Sequence, residues 1–373
     1  MTAPTTRGFR PGPARGRGAP DNREGRHATA HTALEDDGWG PPAPVEGEPA
    51  GDPPDGQVAT VVQAETARSL VQRNESGDAG PAATVNPYRG CEHGCIYCYA
   101  RPNHSRLDLS PGLDFETRLF AKTNAAELLR TELRRPGYRP VPVMLGAATD
   151  GWQPIERSHR LSRALLEVFA QCRHPVQIVT KAALVERDLD LLAPMAAQGL
   201  VAVTVSITTL DTDLARRMEP RASAPARRLR TIETLAAAGI PVGVNVAPVV
   251  PVLTDHELEA ILAAAAQAGA GHAGWVLLRL PWEVAPLFRD WLALHYPLKA
   301  AHVMARMQDL RGGRDYDSRF GTRMRGEGPL ADLLAQRFQR ACRRLGLASG
   351  GPALDSSQFR PPPDDRQPDL FAT

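Results

Sequence analysis

The sequence predicts an α/β protein in which strand and helix alternate six times and the strands form one sheet curled into an open or partial barrel. Three observations carry this. Short β-branched runs recur along the chain and are close to continuously apolar. An Ala/Leu-rich helical stretch follows each run. Helix-end signals punctuate them: Gly239 follows "LAAA" as a C-cap, and Thr254 with Glu257 has the spacing of a capping box. Right-handed crossovers between parallel strands produce the curl. A doubly wound open sheet is the alternative architecture. Both collect ligands at the carboxyl ends of the strands.

In chain order, a first strand is expected at 83–87 and a helix at 123–135. "VPVMLG" (141–146), "VQIVTK" (176–181) and "VAVTVSITT" (201–209) follow, with helices over 158–173, 187–198 and 225–238. "PVGVNVAPVV" (241–250) and "GWVLLRLP" (274–281) complete the set, with helices over 254–269 and 283–294. The unbroken apolar character predicts strands buried on both faces. This places the barrel in 56–294. Residues 1–55 are rich in Pro, Gly, Arg and Asp without apolar periodicity, so disorder is expected there. Residues 295–349 read as a basic helical extension and 350–373 as a loose tail.

The chain has 373 residues, 42% hydrophobic and 23% charged, with a formal net charge of +2. These are values of a globular protein with a sizeable core and no global bias toward polyanions. No apolar run reaches membrane-spanning length and no signal-peptide core is visible, so a cytoplasmic protein without a membrane partner is expected. Within 299–344, eleven basic residues stand against five acidic ones, a net of +6, interleaved with Tyr316 and Phe320. That pattern suits a polyanion such as single-stranded nucleic acid, and equally a solvated helical surface laced with salt bridges.

Three of the five cysteines fall in "NPYRGCEHGCIYCYARP" (86–102), as Cys91, Cys95 and Cys98, a C-x3-C-x2-C spacing. An odd count with three bunched together opposes a secreted disulfide framework and favours metal. Structural zinc takes four protein ligands. His93 could in principle complete a zinc site but sits inside the same tight loop, whereas Cys172 and Cys342 lack a partner at ligand spacing and read as packed thiols. Three thiolates on a four-iron cluster would instead leave one iron open to a small molecule. Most clusters are closed by four cysteines and only carry electrons.

C-x3-C-x2-C with Tyr97 before the last cysteine resembles the radical S-adenosylmethionine (radical SAM) enzymes, and the repeated β-α pattern agrees with their partial (β/α)6 barrel. The phrases "TDGWQPIE", "IVTK", "MEPRA" and "RLP" further resemble the spore photoproduct lyase-like group and its uncharacterised bacterial relatives. The resemblance implies a [4Fe–4S] cluster on the three cysteines, S-adenosylmethionine on the open iron, and an electron donor such as flavodoxin or ferredoxin. It implies homolysis of the cofactor to a 5′-deoxyadenosyl radical that abstracts hydrogen from a substrate, with nucleic acid the leading candidate. An iron–sulfur protein that binds nucleic acid or transfers electrons without radical chemistry is the alternative. Cofactor contacts carried over by the resemblance fall on Tyr97 (adenine), Thr149 beside Asp150, Lys181 (methionine carboxylate), Ser206 with Thr208, Arg221 and Asn245, with Arg279 on the substrate side. The bland alternatives are a helix cap at Thr149, a satisfied core hydroxyl at Ser206 and a loop salt bridge from Arg221 to Glu219. The resemblance breaks at one point. Spore photoproduct lyase uses a hydrogen-donor cysteine near the end of the second strand, where this chain has Ala147 and Ala148.

Overall fold

A computed structural model describes residues 15–29, 58–73 and 82–363. Valine is the commonest residue of the six central strands, because a β-branched side chain fits a pleated surface covered by helices. The strands are β1 Ala83–Val85, β2 Val143–Leu145, β3 Val176–Thr180, β4 Val201–Ser206, β5 Val242–Val249 and β6 His272–Leu277. They pair in sequential order and in parallel, through Ala83↔Val143, Val143↔Val176, Val176↔Val201, Val203↔Val242 and His272↔Gly243. Gln72–Arg73 lies antiparallel on the β1 edge and Ala348–Ser349 parallel on the β6 edge, so the sheet has two covered edges and stays open.

Six helices fill the crossovers and the outer layer: α1 Ala125–Leu133, α2 Leu161–Gln171, α3 Leu189–Ala197, α4 Pro225–Ala237, α5 Leu258–Gln267 and α6 Val284–His295. The main core lies between sheet and helices, where Val143, Leu145, Val176, Ile178, Val203, Val205, Val244 and Val246 meet Leu165, Phe169, Leu192, Leu235 and Ile261. Gly239 ends α4 with φ +72°, the left-handed conformation expected of it.

Five expectations need correction. The strands are not buried equally on both faces: Met144, Gln177, Val179, Thr204 and Asn245 on the concave face are only half-buried, because the curled sheet is open there. The sixth strand ends at Leu277, so Leu278 to Pro281 belong to the loop at its carboxyl end. Thr254 and Glu257 form no capping box. Thr254 Oγ1 accepts from Val250 N at 2.8 Å, and the Glu257 carboxylate is taken by Thr209 and by Leu210 N. Residues 15–29 are an ordered arm packed on the barrel, with Arg17, Gly18 and Ala19 buried, whereas the rest of the expected disordered stretch up to residue 55 lies outside the described residues. The C-terminal tail is likewise docked as far as it is described, with Phe359 against Tyr138 and His174.

After the barrel come α7 Pro297–Asp309 and α8 Pro329–Leu345. Within this region Arg306 pairs with Asp309 and Arg319 with Asp317 and Glu327, and Arg337 of α8 pairs with Glu259 of α5. No helix among the described residues is long and apolar enough to cross a membrane.

Candidate active site

The functional candidates are carried at the carboxyl end of the strands, except Asn245, which lies in the middle of β5. The loop after β1 begins with Asn86, whose Oδ1 accepts from Ala148 N (2.8 Å) and Thr149 N (3.3 Å) in the loop after β2. Tyr88–Arg89 then pairs antiparallel with Arg118–Lys122, itself parallel to Val61–Glu65, so a small three-stranded sheet braces the start of the loop. Gly94 turns the chain between the first two cysteines at φ +65°, where a Cβ would lie 2.6 Å from the Glu116 carboxylate.

Two buried side chains that sequence reasoning missed staple this loop. Arg101 donates to Cys95 O (2.9 Å), Gly94 O (3.2 Å), Pro111 O (3.1 Å) and Gly112 O (2.9 Å) and pairs with Glu116 at Oε1. Glu116 in turn accepts from Gly18 N (2.9 Å) and Ala19 N (2.8 Å), which ties the N-terminal arm to the cysteine loop. Gln153 adds a third staple, accepting from Glu92 N at 2.8 Å and donating to Gly90 O at 3.2 Å.

Cys91 and Cys95 are buried and Cys98 half-buried, and all three are free thiols. Burial pushes each thiol up, and for Cys91 the Asp150 carboxylate and the two neighbouring thiols push further. Thiols held this way ionise when a cation arrives to compensate them. Among the described residues no three Cys, His, Asp or Glu converge closely enough to hold one metal ion. Three free thiols in one loop, near enough to act on one another electrostatically, suit the separate irons of an iron–sulfur cluster. His93 is engaged elsewhere: its Nδ1 lies 3.4 Å from Asp150 Oδ2, and burial holds its pKa below the usual value. Cys172 and Cys342 are buried in the outer helical layer, the former with its thiol pushed up to about 11 by burial.

Tyr97, Lys181 and Thr208 converge on Glu219. The Tyr97 and Thr208 hydroxyls both donate to Oε1, and Lys181 Nζ lies 3.4 Å from the same atom. Lys181 Nζ also donates to Ala247 O at 3.2 Å. Oε2 is taken by Arg228, which reaches on to Ser206 O (2.9 Å) and Ser223 O (2.7 Å). Burial alone would raise the Glu219 pKa, but Arg228, Lys181, Thr208 and Tyr97 hold it well below the usual carboxylate range. Ser206 and Asn245 face each other in register on β4 and β5, and neither side chain hydrogen-bonds to another described residue.

The other candidates are placed differently. Thr149 Oγ1 donates to Tyr88 O at 3.3 Å, and Asp150 accepts from Thr180 Oγ1 (2.8 Å), Lys181 N (2.7 Å) and Trp152 N (2.9 Å), locking the ends of β2 and β3 together. Arg221 pairs with Glu92 at 3.2 Å, not with Glu219. Arg279 lies over the Tyr99 ring, 4.9 Å from its centroid, and the Tyr99 hydroxyl donates to Ala147 O.

With this geometry in hand, comparison with known proteins is informative. Residues 85–265 match the radical SAM superfamily. An uncharacterised protein of Mycobacterium tuberculosis is 43% identical over 216 residues, covering 57% of this chain and 64% of that protein. An uncharacterised protein of Methanocaldococcus jannaschii is 26% identical over 178 residues, covering 48% and 64%. The chain therefore spans 64% of the length of these relatives. Among solved structures, a spore photoproduct lyase mutant with bound AdoMet and dinucleoside spore photoproduct superposes with TM-score 0.56 at 17% identity, covering 77% of this chain and 81% of that one. That likeness establishes a shared fold.

Proposed function

We propose that the protein, whose residues 85–265 match the radical SAM superfamily, is a radical SAM enzyme with a [4Fe–4S] cluster on Cys91, Cys95 and Cys98. The observation that carries this reading is the stapled loop itself: three free thiols held close together at the carboxyl end of β1, with no fourth cysteine beside them. Cys91, Cys95 and Cys98 would hold the cluster, which would supply one-electron reduction, and S-adenosylmethionine bound beside it would supply the hydrogen-abstracting group.

The chain's own residues bind, orient and shield. Ser206 and Asn245 offer a hydroxyl and an amide on the open concave face, suited to the ribose and adenine of the cofactor. Lys181 offers an ammonium for its carboxylate. Glu219 holds that ammonium in place until the ligand arrives. Tyr97 is fixed by Glu219 so that its ring, not its hydroxyl, meets the cofactor. Thr149 and Asp150 position the loops after β2 and β3 and need not touch the ligand. Arg221 supports the cysteine loop through Glu92.

The resemblance puts Ala147 and Ala148 near the place of the donor cysteine of spore photoproduct lyase, and Cys172 is buried in the outer helical layer, which favours a substrate other than a thymine dimer. Calorimetry on the iron-loaded protein tests the assignment. Lys181→Ala should weaken S-adenosylmethionine binding by on the order of 1.5–3 kcal/mol, and Ser206→Ala by about 1 kcal/mol, with iron content retained. Unchanged affinity in both variants removes them from the site.

A further inference from the structure

Resting on the reading above, we infer that Arg279 is the anchor for an oxyanion group, phosphate or carboxylate, carried by the substrate. Arg279 follows β6 at the carboxyl end of the barrel, and its guanidinium stacks over Tyr99, the residue directly after the cluster ligand Cys98. The Tyr99 hydroxyl donates to Ala147 O, which places ring and guanidinium together beside the loop after β2.

The guanidinium is under-used. Its Nη2 donates to the Tyr316 hydroxyl at 3.3 Å and its Nη1 reaches only the Met324 sulfur at 3.6 Å. Its Nε is buried without any hydrogen-bond partner, and among the described residues no carboxylate pairs with Arg279. A second guanidinium lies close by. Arg311 is fully buried, spends its Nη groups on Leu278 O (2.9 Å) and Thr322 O (2.7 Å), and also leaves Nε without a partner. Burial, and then repulsion from Arg279, push its pKa down to about 10.

The Asp317 and Glu327 carboxylates offset part of the Arg311 charge without bonding to it, whereas among the described residues Arg279 has no ion pair and a buried Nε without an acceptor, an arrangement that an anion from outside would complete. The arginines elsewhere in the C-terminal extension show the contrast, since Arg306, Arg319 and Arg337 each have an acidic partner. An arginine fork suits a planar or tetrahedral oxyanion, and the flanking rings of Tyr99 and Tyr316 suit an aromatic group attached to it.

The test is titration of the full-length, iron-loaded protein with inorganic phosphate, phenyl phosphate and benzoate, followed by calorimetry. Binding of at least one probe is expected. A preference for phenyl phosphate over benzoate assigns a phosphate, and the reverse a carboxylate. Arg279→Gln should weaken binding about tenfold or more, and Arg279→Lys should recover part of it, as charge without the fork would. Arg306→Gln should leave binding intact, and circular dichroism should confirm that each variant is folded. Absence of binding by all three probes up to tens of millimolar, or binding that survives Arg279→Gln, overturns the inference. Wild-type cleavage of S-adenosylmethionine is scored separately. A protein that binds oxyanions at Arg279 and never cleaves the cofactor contradicts the proposed function alone. One that cleaves the cofactor and binds no probe contradicts only the role of Arg279.

Discussion

The hydroxyl of Tyr97, the residue before the last cysteine, donates to the carboxylate of Glu219, and both groups are buried. The same carboxylate pairs with both Arg228 and Lys181, one negative charge shared between two cations. Glu219 is thus the charge balance of the site's floor. Glu219→Gln should cost on the order of 3–5 kcal/mol, because it leaves the buried Arg228 unpaired. Tyr97→Phe should cost only about 1 kcal/mol, the worth of one hydrogen bond. Urea unfolding of the two variants measures the difference, and equal small losses would mean that Glu219 does not carry the balance.

The cysteines should divide into two classes. Cys91→Ala, Cys95→Ala and Cys98→Ala should each lose iron on anaerobic reconstitution. Cys172→Ala and Cys342→Ala should keep it and lose about 1 kcal/mol of stability, as buried truncations do. Iron and sulfide analysis reads the first effect and thermal unfolding the second. Iron loss in Cys172→Ala would place that thiol at the site.

The N-terminal arm should matter for the cluster loop. A Cβ on Gly18 would lie 1.8 Å from Gly94 O, between Cys91 and Cys95. Gly18→Ala must therefore displace the arm and take two donors from Glu116. Faster proteolysis within 15–29 and poorer iron retention are expected, while Arg15→Ala at the exposed neighbouring position should change neither. An unaltered digestion pattern in Gly18→Ala would show that the arm does not grip the loop.

Stability should fall in mild acid through His174. Burial holds its pKa down to about 4, with Tyr138 Oη 2.8 Å from Nε2 and Pro175 O 3.0 Å from Nδ1. The unfolded chain takes up a proton near pH 6.5 and the folded chain only near 4. Stability is therefore full above about pH 6.5 and declines as pH falls toward 4, by on the order of 3 kcal/mol. Chemical unfolding at neutral pH and at pH 5 should show a smaller drop in His174→Gln than in wild type. Identical drops would assign the acid sensitivity to other buried histidines.

The strands and the cysteine loop were legible because both write themselves locally. Valine runs mark strands whatever surrounds them, and C-x3-C-x2-C is a compact signal. Lys181, Ser206 and Asn245 stand out in the sequence as polar residues interrupting or ending apolar strands, and the fold sets Ser206 beside Asn245. What holds the site together was not visible. Arg101, Glu116, Glu219 and Arg228 read as ordinary surface charges until their partners are known, and Arg17 meets the Glu116 carbonyl from 99 residues away. The arm at 15–29 has the composition of a disordered tail. Its glycines, however, are what let the backbone approach the cysteine loop. Arg221 was matched to Glu219 because they are two residues apart, whereas the folded loop gives it Glu92.

The central claim is radical cleavage of S-adenosylmethionine at the three-cysteine loop. The direct measurement is mass-spectrometric detection of 5′-deoxyadenosine after the anaerobically reconstituted, reduced protein is incubated with S-adenosylmethionine. The account predicts its release by wild type and none by Cys95→Ala. Iron-loaded, reduced wild type that leaves S-adenosylmethionine uncleaved would contradict it.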